Sequence, residues 1–149
     1  MRAVAQRVSS AWVDVSAETV GRIERGLLVY LGAGKRDTVQ SARMMAEKVA
    51  TLRLFEDATG KMACDVKEAS GQVLIVPQFT LYGDVRRGRR PSFADAAQPD
   101  IALQLYELVV LELRTRGLSV ATGRFRAMMQ VHAVVDGPVT VLIDSEKVF

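Results

Sequence analysis

The chain has 149 residues, of which 49% are hydrophobic, and a formal net charge of +3, which suits one domain over residues 1–149 with a sizeable core. Its one cysteine, Cys64, excludes an intrachain disulfide and is typical of a reducing compartment. Arg2 and Arg7 interrupt the N-terminal residues, which argues against a secretory signal. No apolar run approaches the roughly 20 residues of a membrane span. We therefore expect a cytoplasmic protein.

The first 34 residues show the alternating and continuous apolar patterns of β-strands. Ser16 and Ala17 separate two alternating segments and predict a turn. The predicted strands cover residues 2–8, 11–15, 18–23 and 26–34. Apolar residues then recur at helical spacing over residues 38–51, where Asp37 and Gln40 resemble the capping box that begins a helix.

A second set of elements follows this helix. Residues 52–57 predict a short strand and residues 71–81 a buried one; Pro77 must lie at an edge, a bulge or the strand's end, because proline cannot donate to a sheet. Pro99 suits the first turn of a second helix, which Gly117 is expected to end. Three strand-like runs complete the chain, LSVATG, MQVHAVV and PVTVLID, and the sequence DGP separates the last two.

The order of these elements indicates an α+β domain. A doubly wound sheet would require regular alternation of strands and helices, which the chain lacks. We predict a single domain with a curved, largely antiparallel sheet or barrel and two main helices.

The usual catalytic and metal-binding groups are scarce. His132 is the only histidine and lies in an apolar run, where a packed or surface imidazole is the simpler interpretation. One histidine, one cysteine and no acidic cluster at ligand spacing argue against a metal site, and LGAGKRD lacks the spacing of a phosphate-binding loop. We expect no metal or cofactor, so that any catalysis would depend on backbone groups, hydroxyls, amides or the substrate itself.

The stretch PQFTLYGDVRRGRRPSF places an amide and a hydroxyl at a strand end, followed by a basic cluster. The backbone N–H groups of Phe79 and Thr80 could stabilise a developing oxyanion there, with Gln78 as a neighbour; alternatively the strand simply ends, with Thr80 satisfied locally. The basic cluster is either a solvated loop or a phosphate-binding group. Its members are Arg86, Arg87, Arg89 and Arg90.

The DGP sequence at residues 136–138 also allows two interpretations. Gly137 permits close approach of the backbone to another group, and the bond before Pro138 can be cis. An ordinary β-turn accounts for the same residues.

Three stretches, in the same order along the chain, resemble the D-aminoacyl-tRNA deacylase family: MRAVAQRVSSAWV, PQFTLYGDVRRGRRPSF and DGPVTVLIDS. GLLVYLG, LRLFEDATGKM and TGRF are also similar, so the resemblance covers essentially the whole chain. It implies a homodimer that hydrolyses the ester between a D-amino acid and the terminal adenosine of tRNA, with active sites at the subunit interface. Glycyl-tRNA is a further expected substrate, since glycine has no side chain to reject.

The resemblance implies roles for individual residues on one wall of the site. Gln78, Phe79 and Thr80 would carry the catalytic function, with the backbone N–H groups of Phe79 and Thr80 as oxyanion donors. The free 2′-hydroxyl of the terminal adenosine would assist attack on the ester. Arg86, Arg87, Arg89 and Arg90 would bind the tRNA.

The opposite wall is expected to select the D-enantiomer. By resemblance, Gly137 and Pro138 reach in from the partner chain through a cis bond, and this rigid backbone collides with any L side chain. Arg7 would hold that dipeptide in place, and Met129 would line the same pocket.

Two positions depart from the family pattern. Pro77 stands where the family has serine, and Val135 stands at the asparagine of its Asn-x-Gly-Pro pattern. Two alternatives therefore remain: a related deacylase with relaxed chirality that acts on L-alanyl-tRNA, and a tRNA-binding homologue without catalytic activity. The intact QRV and GPVT sequences favour the D-specific enzyme.

Overall fold

The computed structural model describes residues 1–148 and contains one large mixed sheet, a small hairpin and two helices. The strands are β1 (Arg2–Val15), β2 (Glu18–Ile23), β3 (Gly26–Gly32), β4 (Phe55–Glu56), β5 (Met62–Cys64), β6 (Gln72–Pro77), β7 (Val120–Thr122) and β8 (Gln130–Asp144). The helices are α1 (Val39–Thr51) and α2 (Pro99–Thr115), and a short 3-10 turn covers Phe79–Tyr82. Within the described residues, no helix combines the length and apolar character needed to cross a membrane.

The large sheet has the strand order β2-β1-β3-β6-β7, and β8 pairs with the other edge of β1. The α+β prediction with a curved sheet and two main helices is confirmed, and the three pairs made by β1 are antiparallel. The pairs β3–β6 and β6–β7 are parallel. Helices α1 and α2 lie in the crossovers that such parallel pairs require, a feature that the sequence did not indicate.

The sheet curves until its edges nearly meet. Gly21 of β2 lies so close to β7 that a Cβ atom there would come within 2.4 Å of the Thr122 carbonyl oxygen. Only glycine permits this approach without moving the backbone. The curvature therefore depends on a residue without a side chain at the point of closest contact.

Apolar residues on the two faces of the sheet form two cores. Leu27 and Val29 of β3 face the helices and pack in the larger core, whereas Leu28 faces the concave side and packs in the smaller one. Strand β6 behaves in the same way, and all four of its apolar residues 73–76 are buried. Burial on both faces explains why its sequence is continuously apolar instead of alternating.

Strand β8 continues through residues 136–138 without the predicted break. In its pairing with β1, Thr140 lies opposite Gln6, and the next paired residue, Val135, lies opposite Val8. Residues 136–139 therefore form a bulge opposite the single residue Arg7.

The start of α1 differs from the prediction. Thr38 is the N-cap, and it forms the capping box with Ser41. Asp37 instead accepts hydrogen bonds from the Gly34 N–H at 2.7 Å and the Tyr82 hydroxyl at 3.0 Å, and it pairs with the buried ammonium group of Met1. The carboxylate thus joins the start of β1, the end of β3 and the 3-10 turn.

We expect Asp37→Asn to lower the free energy of unfolding by about 3 kcal/mol at pH 7, because the buried Met1 ammonium loses its counter-ion. Burial alone would raise the pKa of Asp37, but hydrogen bonds from Met1, Gly34 and Ser145 lower it below its ordinary value. The stabilisation is therefore complete above about pH 4, the ordinary aspartate pKa, and is lost as the pH falls through the lower folded-state pKa.

Urea unfolding of the wild type and the variant across this pH range measures the effect. Glu107→Gln, at an exposed position on α2, is the control and is expected to change stability by less than about 0.5 kcal/mol. An equal loss in both variants, or a difference that persists unchanged at low pH, would contradict the assigned role of Asp37.

Candidate active site

The chain leaves the sheet immediately after Pro77. The N–H of Gln78 makes the last bond to β3, at 2.8 Å from the Leu31 carbonyl oxygen, and the chain then enters the 3-10 turn. The next two N–H groups, those of Phe79 and Thr80, have no acceptor within residues 1–148. The Gln78 side-chain amide donates to the Thr80 hydroxyl oxygen. The strand end thus presents two unused backbone donors and a hydroxyl held by its neighbour.

A cavity of about 720 Å³ opens beside this turn. Most of its wall is apolar, with side chains from the end of β6, the first turns of α2 and the segment before β8. The residues that contribute aromatic, thioether or amide groups are Met1, Gln78, Phe79, Tyr106, Phe125, Met128 and Met129. A cavity of this size and character suits an aromatic or nucleoside-sized group.

Tyr106 is buried in the cavity wall with its hydroxyl already committed. It donates to the Ile75 carbonyl oxygen at 2.9 Å. Burial raises the pKa of Tyr106 above its ordinary value, so the phenol stays neutral. It therefore contributes an aromatic surface to the cavity and anchors α2 to β6.

The structure brings some of the predicted site residues together and separates others. Gln78, Phe79 and Met129 line the cavity, whereas Thr80 lies beside Phe79 on the exposed surface of the turn. Gly137 and Pro138 do not line it. They lie opposite Arg7 of β1. Arg2, near the start of the same strand, contacts the 3-10 turn, since its guanidinium lies 3.2 Å from the Leu81 carbonyl oxygen. Arg7 and Arg2 are five residues apart, which is roughly 16 Å at the usual strand rise.

Arg7 of β1 contacts the bulge through Asp136. Its guanidinium is buried and donates to the Leu54 carbonyl oxygen at 2.8 Å. Its Nε atom lies 2.9 Å from Asp136 Oδ2, an ion pair without the alignment of a hydrogen bond. Arg7 thus connects the bulge to the chain that follows α1.

The bulge itself leaves no room for a side chain at Gly137. This residue has a φ of 117°, and a Cβ atom would lie 2.8 Å from Val139 Cγ2 and 3.2 Å from Arg7 Nη2. The peptide bond to Pro138 is cis. Both residues are exposed, so the backbone of the bulge faces outward from the chain.

The basic cluster lies on a loop whose base is attached to the 3-10 turn. Asp84 and Ser92 close the loop with two backbone hydrogen bonds of 2.8 and 2.9 Å, and Phe93 packs edge-on against Phe79 with ring centroids 5.1 Å apart. Asp84 also accepts two hydrogen bonds from the Arg86 guanidinium and one from the Arg86 N–H, and these lower its pKa to about 2. Arg86 is therefore paired within the loop, and the other three arginines are exposed.

His132 lies outside the cavity. Its ring stacks on Trp12 with centroids 4.7 Å apart, and its Nε2 atom is 3.1 Å from Asp14 Oδ2. Both partners belong to β1. The histidine is a surface imidazole packed on the sheet, as the simpler interpretation of the sequence had it.

Sequence patterns did not indicate several residues of the cavity wall. Tyr106 lies within the apolar face of α2 and resembles any core residue of that helix. Phe125 ends the TGRF stretch, and Arg126 follows it with a left-handed φ of 57°. Single residues from distant segments carry no local signal, and only the tertiary fold assembles them.

Comparison with known proteins gives consistent matches over the whole chain. The family model described as D-Tyr-tRNA(Tyr) deacylase matches residues 4–144. The chain is 59% identical to the D-aminoacyl-tRNA deacylase of Thermotoga petrophila over 149 residues, which is 100% of both chains.

Solved structures share the fold. The c-Myc DNA Unwinding Element Binding Protein superposes with a TM-score of 0.91 at 38% identity, covering 97% of this chain and 98% of that one. A probable eukaryotic D-amino acid tRNA deacylase superposes with a TM-score of 0.82 at 20% identity, covering 95% and 97%. The likeness thus extends to the complete architecture.

We expect Arg7→Met to lower the free energy of unfolding by about 2–3 kcal/mol, because the buried Leu54 carbonyl and Asp136 lose their partner. Arg22→Met is the control, since Arg22 pairs with Glu24 at 3.3 Å on the exposed surface, and its loss should cost less than about 1 kcal/mol. Urea unfolding gives both values. Amide hydrogen exchange should also accelerate at Gly137 and Val139 in Arg7→Met; unchanged exchange there would show that Arg7 does not hold the bulge.

Proposed function

Because the chain belongs to the D-aminoacyl-tRNA deacylase family and is a hydrolase of the D-aminoacyl-tRNA ester, we propose that the cavity beside Gln78 and Phe79 is where it holds that ester. The observation that carries this proposal is the pair of unused backbone N–H groups of Phe79 and Thr80 at the edge of the cavity. In water such donors would be solvated. Here they are fixed by the strand end and need no rearrangement to receive a developing negative charge.

The chemistry follows from these donors. A water molecule attacks the ester carbonyl carbon and gives up a proton, and negative charge moves onto the carbonyl oxygen, which accepts hydrogen bonds from the Phe79 and Thr80 N–H groups. The bond to the 3′-oxygen of the ribose then breaks, and this oxygen takes a proton. The adenosine's 2′-hydroxyl, next to the ester, assists the attack, so the protein itself supplies mainly position and charge stabilisation.

Gln78 and Thr80 act as positioning residues in this scheme. The Gln78 amide donates to the Thr80 hydroxyl oxygen, and this leaves the hydroxyl hydrogen available to a substrate acceptor. The hydroxyl is therefore oriented before the substrate arrives.

The terminal adenine suits the apolar part of the cavity. Phe79, Phe125 and Met129 supply aromatic and thioether surface, and stacking of a base on an aromatic ring contributes about 1–3 kcal/mol. Stacking holds the base without reading its sequence, which fits a 3′-end common to all tRNAs. The exposed Arg87, Arg89 and Arg90 would hold phosphates further along the strand.

The second wall of the site would come from another copy of the chain. Gly137 and Pro138 are absent from the lining of their own chain's cavity and face outward. Near them, β8 exposes Val134 and Leu142, at 53% and 58% of their surface. A homodimer that buries this apolar face and inserts the bulge into the partner's cavity accounts for both observations.

Such a wall would select the substrate by shape. The bulge is backbone held by Arg7, so it cannot retreat from an L side chain, whereas a D-amino acid presents only hydrogen on that side. Glycine has no side chain on either face, and glycyl-tRNA is accordingly a second substrate. We place this editing activity in the cytoplasm, where aminoacyl-tRNA is used.

The proposed function predicts a defined order of substrates for one enzyme preparation. D-tyrosyl-tRNA and glycyl-tRNA should be deacylated well above the spontaneous rate, and L-tyrosyl-tRNA should not, because its side chain meets the bulge. Release of the amino acid from each charged tRNA measures this. Turnover of L-alanyl-tRNA at the D-tyrosyl rate would indicate relaxed chirality, and tRNA binding without turnover would indicate a catalytically inactive homologue.

Substitution of one glycine tests the second wall. We expect Gly137→Ala to reduce D-tyrosyl-tRNA deacylation by at least about 100-fold, because the new Cβ displaces the bulge on which selection depends. Gly60→Ala is matched, since Gly60 also has a left-handed φ, of 78°, but nothing within 4 Å of its Cβ position. It places alanine at a positive φ without a collision, at a position that does not line the cavity, and should retain full activity. Wild-type activity in Gly137→Ala would show that the bulge plays no part in the site.

A further inference from the structure

Arg126 is the only charged side chain among the residues that line the cavity. We infer that it binds the phosphate that joins the terminal nucleoside of the substrate to the rest of the tRNA strand. The inference rests on the proposed function, since it takes the cavity to be the place where that nucleoside lies. It adds a specificity-determining contact to a wall that is mostly apolar and carries no other charged side chain.

The local backbone directs this residue to the cavity. The Ala127 N–H donates to the Arg124 carbonyl oxygen at 3.3 Å, which closes a turn, and Arg126 has a φ of 57° within it. Phe125, Arg126 and Ala127 consequently all line the cavity. The aromatic ring suited to the base and the guanidinium suited to the phosphate thus come from adjacent residues.

Arg126 differs from its neighbour Arg124 in charge pairing. Arg124 forms an ion pair with Glu18 at 3.2 Å and does not line the cavity. Within residues 1–148, the Arg126 guanidinium has no carboxylate within 4 Å and no hydrogen-bond acceptor. Because no acidic residue lines the cavity either, nothing in this part of the chain competes with an incoming anion.

The chemistry of the substrate identifies that anion. In aminoacyl-tRNA the amino acid carries an ammonium group, and its carboxyl group is esterified. Unless the amino acid has an acidic side chain, the phosphates of the RNA are therefore the only anionic groups that the substrate offers. Arginine matches a phosphate with two parallel hydrogen bonds, which are stronger than those between neutral groups.

Two minimal substrates test the inference directly. They are adenosine with a D-tyrosyl ester on its ribose, and the same compound with a 5′-phosphate. Wild-type enzyme should hydrolyse the phosphorylated ester with a kcat/KM about 10-fold higher or more, through a lower KM, because the charged contact forms only with the phosphate. Arg126→Gln should abolish this preference and leave hydrolysis of the unphosphorylated ester unchanged, and Arg126→Lys should restore part of it.

Two further variants separate the contact from effects on folding. Arg124→Gln removes an arginine two residues away and should keep the full preference. Arg126→Gly removes the side chain at a position where glycine adopts the backbone conformation without strain, so it should behave as Arg126→Gln while its melting temperature does not fall. With D-tyrosyl-tRNA, loss of one phosphate contact should reduce the slope of log KM against log salt by about 0.7.

The outcomes distinguish this inference from the proposed function. If wild-type enzyme deacylates D-tyrosyl-tRNA but Arg126→Gln keeps both the phosphate preference and the salt slope, the inference is wrong and the function stands. The inference is also wrong if Arg126→Gln only relieves inhibition by free D-tyrosine, since Arg126 would then bind the product carboxylate. Failure of the wild type to hydrolyse D-tyrosyl-tRNA would remove the proposed function itself.

Discussion

The antiparallel pairing of β1 on both of its edges is the constraint on which the rest of the molecule depends. One edge pairs with β3 and then β2, and the other pairs with β8 along nearly its whole length. This arrangement places the start of β1 next to the 3-10 turn, through Arg2 and Leu81, and Arg7 beneath the bulge. A shift of register by one residue would turn every side chain of β1 to the other face and would remove both contacts together.

The cavity depends on how β6 ends. Strand β6 lies between two parallel neighbours, so its backbone groups are paired until Pro77, which has no N–H to donate. Gln78 makes one more bond to β3, and the following N–H groups leave the sheet. The oxyanion donors of the proposed mechanism are therefore the first backbone N–H groups after the strand that no longer pair within the sheet. They lie beside a cavity whose wall includes α2 and the segment before β8.

Much of the architecture could be predicted from the sequence because the signals were local. The spacing of apolar residues indicated α1 to within one residue at its start, Pro99 marked the start of α2, and the VLIV run marked β6. The partners of β6 could not be predicted, since a strand buried on both faces looks the same whichever neighbours it has. The cap of α1 was assigned to Asp37 instead of Thr38 because both residues suit that role, and only the fold shows that Asp37 pairs with Met1. The strand end pointed to Gln78 and Phe79, which line the cavity, whereas Tyr106 and Arg126 reach the cavity through tertiary packing alone.

The bulge in β8 has an evolutionary consequence. Pairing with β1 continues on both sides of it, from Thr140 onward and, after a second irregularity opposite Ser9, from Val134 back. The ladder on either flank therefore does not depend on the sequence of the bulge, residues 136–139. Their own composition contributes little to the hydrophobic core, since three of the four are solvent-exposed. Apart from Gly137, where a side chain would collide with Val139, the segment can therefore change without loss of the flanking ladder, which makes it a place where related enzymes can diverge.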